Sequence, residues 1–259
     1  MSSVIELQMW QLGAAYVFIL ILLVIVRVKG IKRETEIVLA SIRMTLQLIL
    51  VAYILSYMFD VNQPMLTVIF LICMQVFAIH NIFNRVKIEL LKATKLVIAF
   101  SMVVGTVTSI LYFNLIVIQF SPWHDPRYFI PIAGMIIGNS MTGISLGVTR
   151  LVSGFHEQRE MVECSLMLGA TPKMASRSII NQAFDSAILP TINSMVGMGI
   201  VFLPGMMTGQ ILSGISPIVA VEYQIAIMLG IVGSVTLSVI LFVQLGYKTF
   251  FNQKAQLNI

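Results

Sequence analysis

Long apolar runs broken by short polar connections set the rhythm of this chain. Each run is continuous rather than alternating, and long enough for a helix to cross a hydrocarbon core of about 30 Å. Seven spans are read: Gln8 to Val28, Ile37 to Phe59, Pro64 to His80, Lys95 to Gln119, Phe129 to Arg150, Leu189 to Leu212 and Tyr223 to Gly246. The strands of a transmembrane barrel would alternate in hydropathy, so the expected fold is all-α, a polytopic membrane bundle forming one domain over residues 1–259. The connection between the fifth and sixth spans, about residues 155–187, is by far the longest and carries its own pattern of charge, Gly and Pro.

Composition agrees with the spans. Of 259 residues 58% are hydrophobic and 10% charged, against about 25% charged in a soluble domain. Charge placement adds an orientation. With seven spans, fourteen of the sixteen cations fall on one side: Arg27, Lys29, Lys32 and Arg33; Arg85, Lys87, Lys92 and Lys95; Arg150, Arg159, Lys173 and Arg177; Lys248 and Lys254. The other side holds Arg127 with Glu6, Asp60, Asp125 and Glu222. Basic short loops stay in the cytoplasm, which predicts an N-terminus outside, a cytoplasmic C-terminus and a multi-pass protein of the cell (inner or plasma) membrane. The net charge of +5 reflects this bias and not nucleic-acid binding, because the cations flank spans instead of forming a stripe with aromatics. The first span lacks a preceding basic region and a small-residue cleavage site, unlike a cleaved signal peptide. Cys73 falls within a span and Cys164 in the long connection, so no disulfide between them is expected.

Enzymatic chemistry finds little footing. The sequence has no Gly-x-x-x-x-Gly-Lys-Ser/Thr phosphate loop, no His-Glu-x-x-His, no Cys-x-x-Cys and no Gly-x-Ser-x-Gly elbow. Nearly all eleven carboxylates fall in loops, whereas membrane enzymes cluster ionisable groups at one depth. The chain is therefore expected to be no enzyme, to bind no ATP itself and to hold no cofactor.

The long connection reads as helix, sharp turn, helix. Over residues 155–168, Met161, Val162, Leu166 and Leu168 supply apolar contacts, while Glu157, Glu160 and Glu163 recur at three-residue steps on a polar side. Gly169 suits the left-handed position that ends such a helix, and Thr171-Pro172 suits an N-cap followed by a first-turn proline. A solvated hairpin would show the same punctuation. The segment from Glu163 through Gly169 to Ile179 also resembles the EAA loop of ABC-transporter permeases, Glu-Ala-Ala-x-x-x-Gly-x(9)-Ile-x-Leu-Pro. Cys164 and Ser165 stand for the two Ala, and the Leu-Pro comes late, at Leu189-Pro190. Further motifs are "GMIIGNSM" from Gly134, "MLGATP" from Met167, "ILPTINSM" from Ile188, "LPGMMTGQIL" from Leu203, and "AVEYQI" from Ala220. In that order they resemble the FetB family of ABC permeases, which includes bacterial iron-export permeases and plant aluminium-tolerance half-transporters. The resemblance implies a homodimer paired with a separate FetA-like ATPase that binds ATP and Mg. It implies a coupling role for Glu160, Glu163, Leu166, Gly169, Ala170, Thr171 and Pro172, and export of iron or another metal ion, with sugar nucleotides the other substrate attached to the family.

Polar residues inside the spans are the pathway candidates. Arg43, with Thr45 and Gln47 nearby, either snorkels to the interface or faces a wet cavity, since a charge at the bilayer centre costs about 2.5–3.5 kcal/mol. Gly134, Gly138, Gly143 and Gly147 make a packing face, on which Asn139 is read as structural or pathway-lining; Asn193 invites the same split. Pro204 and Gly205 are expected to kink or interrupt the sixth span, as hinge candidates. Gln210 and Glu222 are placed near the outer mouth, where Glu222 is a weak candidate ligand for a cation or else an interfacial carboxylate. Met195, Met198, Met206 and Met207 read as flexible filler rather than metal ligands. A stand-alone secondary carrier or channel is the alternative, disfavoured by the lack of an intramembrane carboxylate.

Overall fold

The computed structural model describes residues 8–86 and 90–258. Glu6 and Lys87, counted above among the loop charges, lie outside them. The elements are helices: α1 Met9–Ala15, α2 Val17–Val28, α3 Glu34–Val61, α4 Pro64–Arg85, α5 Lys92–Tyr112 running into a π-helical turn Phe113–Ile118, α6 Pro126–Glu157, α7 Arg159–Met167, α8 Pro172–Ala175, α9 Arg177–Gly197, α10 Gly205–Leu212 and α11 Pro217–Gly246, closed by a 3-10 turn Tyr247–Phe250. Among the described residues the only strand-like pairings are two isolated bridges. The chain is a multi-pass membrane protein with an all-helical fold.

Local chemistry explains the helix starts. Pro64, Pro126 and Pro217 open α4, α6 and α11, where a missing N–H costs nothing and the fixed φ suits the first turn. Asp125 caps α6 by accepting the Arg127 N–H at 3.0 Å.

Six helices are long and apolar enough to cross a membrane: Met9–Val28, Glu34–Val61, Pro64–Arg85, Lys92–Ile118, Pro126–Glu157 and Pro217–Phe250. The third, fifth and last outrun the lengths expected of them. The segment Leu189 to Leu212, expected as a span, is not one helix. α9 starts well before it and stops at Gly197, Gly199 takes φ +87°, and α10 begins only at Gly205. The Gly199 N–H donates to the Phe202 carbonyl at 3.0 Å, and the Val201 N–H to that of Gly197 at 2.9 Å, closing a compact non-helical link. Pro204 does not kink a helix. Its carbonyl accepts both the backbone N–H and the hydroxyl of Thr208, at 3.0 Å each, so Pro204-Gly205 starts α10.

The chain forms two compact units. The first holds residues up to Asn62 with Leu212–Gly214. Within α2 and α3 only Val26 and Met58 are buried, and helices apolar all round belong in lipid or against another chain. The Tyr16 hydroxyl hydrogen-bonds Thr45 Oγ1.

The second unit, Gln63–Ile211 with residues from Ile215 on, contains the core. Its centre is Ile98, Met102, Ile136, Ile144, Leu151, Ile179 and Phe242 from α5, α6, α9 and α11, all fully buried. α5 and α11 run antiparallel. Thr94 and Thr249 hydrogen-bond at 2.8 Å near one end, Gly105 meets Ser238 midway, and Gly230 meets the Phe113 ring at the other. Phe155, ending α6, stacks on Phe250 at 4.4 Å. These contacts gather Arg85, Lys92, Lys95, Arg150, Arg159, Lys173, Arg177, Lys248 and Lys254 toward one end, here the basic end. Cys73 and Cys164 are free.

Candidate functional site

The geometry of the site begins with how α6 and α9 meet. A Cβ on Gly154 would stand 2.6 Å from Ile179; on Gly147, 3.4 Å from the Ala187 side chain; on Gly143, 3.3 Å from the Ala187 carbonyl and 2.9 Å from Val235 of α11. Small residues on both helices permit this approach. The packing face read from the sequence thus holds for Gly143 and Gly147. Gly134 adds only the Met74 methyl at 3.3 Å, and Gly138 has nothing within 4 Å.

Outside this seam the two helices carry polar and apolar side chains together. On α6, Asn139 and Thr149 are exposed, Thr142 and Arg150 half-buried; on α9, Asn181, Asp185 and Asn193 are exposed, and so are Leu189, Ile192 and Val196. Arg150 fixes the register by donating to Gln182 Oε1 at 2.7 Å. Eleven residues along each helix from that contact stand Asn139 and Asn193, so these two candidates share one level. Asn139 donates to its own helix, to the Met135 carbonyl at 2.7 Å, which keeps its amide on this face.

Asp185 falls in the connection when the span is expected to begin at Leu189, whereas the structure places it within α9. The buried face Ile179, Ala183, Ala187 and Thr191 instead packs α9 against α6 almost from its first turn. Its four-residue spacing of small side chains is a signal readable in the sequence. Asp185 therefore points away from α6 at the level of Gly147, about 12 Å along the helix from Arg177, with exposed Leu189 and Ile192 beyond it on the same side. Among the described residues it makes no ion pair or hydrogen bond; Arg150 turns instead to Gln182 and, at 3.4 Å, to Glu157.

At the basic end, the coupling candidates form one elbow. Gly169 has φ +87°, the left-handed turn expected of it. Thr171 caps α8 by accepting the Met174 N–H at 3.3 Å, with Pro172 in the first turn. Glu160 is exposed in the first turn of α7, and Glu163 accepts from Arg159 at 2.9 Å. Two expectations are corrected. The amphipathic helix starts at Arg159, not Phe155, because Phe155 is fully buried beneath Phe250 and belongs to α6. Met161 and Leu168 do not pack inward. Val162 is the buried anchor, Leu166 leans on the core, and Met161, Met167, Leu168 and Met174 stand 49%, 83%, 89% and 68% exposed. A notch of about 360 Å³ separates Thr171, Pro172 and Lys173 from Tyr247, Lys248 and the C-terminal turn. Half-buried Ala170 completes the elbow.

The remaining candidates lie elsewhere. Arg43 and Gln47 are exposed on α3 of the first unit. Gln210 is half-buried on α10, one turn from Met207. Glu222 sits in the second turn of α11, in a groove of about 590 Å³ shared with Thr108, Ser109 and Tyr112 of α5. Among the described residues no three His, Cys, Asp or Glu side chains gather into a metal-holding group, so Glu222 has no second acidic partner there.

Similarity to known proteins follows the whole length of this geometry. A bacterial relative, "UPF0014 membrane protein YjkA" of Bacillus subtilis, is 33% identical over 95% of this chain and 97% of its own. "Probable iron export permease protein FetB" of Escherichia coli is 32% identical over 95% and 93%. "Protein ALUMINUM SENSITIVE 3" of Arabidopsis thaliana is 32% identical over 95% and 88%. No solved structure matches significantly. The model of the Uncharacterised protein family (UPF0014) matches residues 9–251, and the chain belongs to that family.

Proposed function

We propose that this chain is the permease subunit of an ABC transporter, working as a homodimer with a separate FetA-like ATPase that binds ATP and Mg. The observation that carries this reading is the α7–α8 elbow. Four exposed large apolar side chains, Met161, Met167, Leu168 and Met174, crown a turn rigidly set by Gly169 and Thr171-Pro172. Apolar side chains held out at the basic end suit burial by another protein. In this reading the basic end is cytoplasmic, and α9 with α10 makes a seventh, broken crossing that leaves the N-terminus outside. Closure of the ATPase moves α7, and the movement passes through Gly154–Ile179 packing to α6 and α9, alternating access along their polar faces. The names of the Escherichia coli and Arabidopsis relatives support iron or another metal ion as the exported substrate; a sugar nucleotide is the other substrate class.

A stand-alone secondary carrier is the second reading. One observation favours it: the interrupted α9–α10 segment, as discontinuous helices mark such carriers. Purification from the native membrane separates the two. The permease reading expects an ATPase to co-purify, and Glu163→Ala or Met167→Asp to reduce its retention at equal expression. Nucleotide-independent transport by the chain alone would leave the carrier reading standing.

A further inference from the structure

Past α11 and its 3-10 turn the chain folds back on itself. The Asn258 N–H donates to the Phe250 carbonyl at 2.8 Å, and the Asn252 N–H to that of Gln256 at 2.9 Å. Asn252 Oδ1 accepts the Lys254 and Gln256 N–H groups at 2.9 Å each, and Ala255 takes φ +59°. Phe251 meets the Phe155 ring edge-on, with ring centres 5.8 Å apart, and Leu257 packs on the core. This closed turn is thus fixed to the end of α6. Across from it, α8 is fixed by its Thr171 cap and by the Ser176 hydroxyl, which donates to the Pro172 carbonyl at 2.6 Å.

The cleft of about 360 Å³ between them therefore has two preformed lips. Each lip carries a cation, Lys173 on α8 and Lys248 on the 3-10 turn. Both are exposed, and among the described residues neither makes an ion pair. No Asp or Glu lines the cleft. An anionic group entering it is attracted by both ammonium groups, and walls already ordered lose little further entropy on binding. On the same elbow Leu168 and Met174 stand 89% and 68% exposed. A free anion leaves these side chains in water, whereas a protein that brings a carboxylate beside apolar side chains satisfies both. Recognition of an anionic bilayer by charge takes clusters of about 4–8 cations, and Lys173 and Lys248 are the only cations lining this cleft.

We propose that the cleft receives an acidic side chain of the ATPase subunit, so that the C-terminal turn and the elbow form one docking surface. The assignment rests on the permease reading and adds to it a contact that the elbow alone does not make.

Binding between the full-length chain in lipid nanodiscs and the ATPase that co-purifies with it reads the cleft. Lys173→Ala/Lys248→Ala is expected to weaken binding about tenfold, the combined effect of two exposed ion pairs, and less so as salt is raised. Lys173→Arg/Lys248→Arg should keep most of the affinity. Lys254→Ala removes a cation of the same turn that does not line the cleft, and should bind as the parent does. Equal binding by the double alanine variant, or an equal loss in Lys254→Ala, overturns the cleft assignment and leaves the permease reading in place. A loss as large in the arginine variant overturns it too, because charge would not be what the cleft supplies. So does loss of monodisperse double-alanine protein, which would make the lysines structural. If the double variant binds the ATPase fully but sheds co-purified anionic phospholipid, the cleft belongs to the membrane and the proposal is overturned. If no ATPase co-purifies with the unaltered chain, the failure is that of the permease reading, and the cleft assignment falls with it.

Discussion

Gly105 of α5 lets the Ser238 backbone of α11 come within 2.7 Å of where a Cβ would stand, and Gly154 of α6 does much the same for the Ile179 side chain of α9. Both helix pairs are antiparallel and both close on small residues. Their polar groups go opposite ways. In and around α5–α11 they point inward: Ser234 meets Ser140 at 2.9 Å, Thr94 meets Thr249 at 2.8 Å, Gln75 meets Thr106, and Ser101 and Ser238 are fully buried without partners. α6 and α9 bury Ser140, Ser145 and Thr191 as well, but they also turn polar groups outward, with Asn139, Asp185 and Asn193 all exposed. Inward polar groups fasten a bundle in a medium that offers no hydrogen bonds. Outward ones at the same depth need water or another chain. The first pair is thus built as a fixed wall and the second as a working surface.

The sharpest way to break this comparison is to fill the wall. Gly105→Ala brings a methyl against the Ser238 backbone, which cannot swing away as a side-chain tip can. A loss of about 1–3 kcal/mol, or outright misfolding, is expected from overpacking of this kind. Thermal unfolding in detergent, together with the yield of monodisperse protein, would show it. A Gly105→Ala protein as stable as the parent would mean that α5 and α11 are not locked together.

A smaller effect should come from the hydrogen bonds of the wall. Ser140→Ala removes the partner of Ser234 Oγ inside a fully buried contact. Interhelical hydrogen bonds in membrane bundles average about 0.6 kcal/mol and reach about 1.7, so a loss in that range is expected. The double variant Ser140→Ala/Ser234→Ala should cost less than the two single losses added, because the one bond between them is lost only once. A combined loss equal to that sum would mean that these serines act independently of their bond.

What the sequence made legible here follows the range of the forces involved. The helices themselves are written in apolar runs, and the elbow in local punctuation: Gly169 and Thr171-Pro172 act within one turn of chain and appear where their chemistry puts them. The start of α7 was misjudged because it depends on Phe155 stacking under Phe250, almost a hundred residues away. Met161 and Leu168 were read as inward for the same reason, since Val162 alone supplies the anchor. Asp185 was hidden because its depth is set by Ala183 and Ala187 meeting α6, not by the residues beside it. The break after Gly197 was expected at Pro204, yet proline opens helices as readily as it bends them, and the glycines upstream had already ended α9.

The mildest substitution gives the cleanest reading of the working surface. Gly138 has open space around its Cα, one residue from Asn139. In a wall position its replacement would be felt; here Gly138→Ala should leave stability unchanged or raise it by up to about 1 kcal/mol, because alanine is the better helix former. Unfolding in detergent tests this directly, beside Gly105→Ala as the contrasting case. If the α6 face instead packs tightly against a second copy in the native membrane, Gly138→Ala would leave the detergent-unfolded midpoint untouched while weakening cross-linking between copies. A destabilised midpoint would put α6 in a single continuous core with no outward face. A neutral midpoint with intact cross-linking leaves the polar face open to water, which is the condition Asn139, Asp185 and Asn193 require.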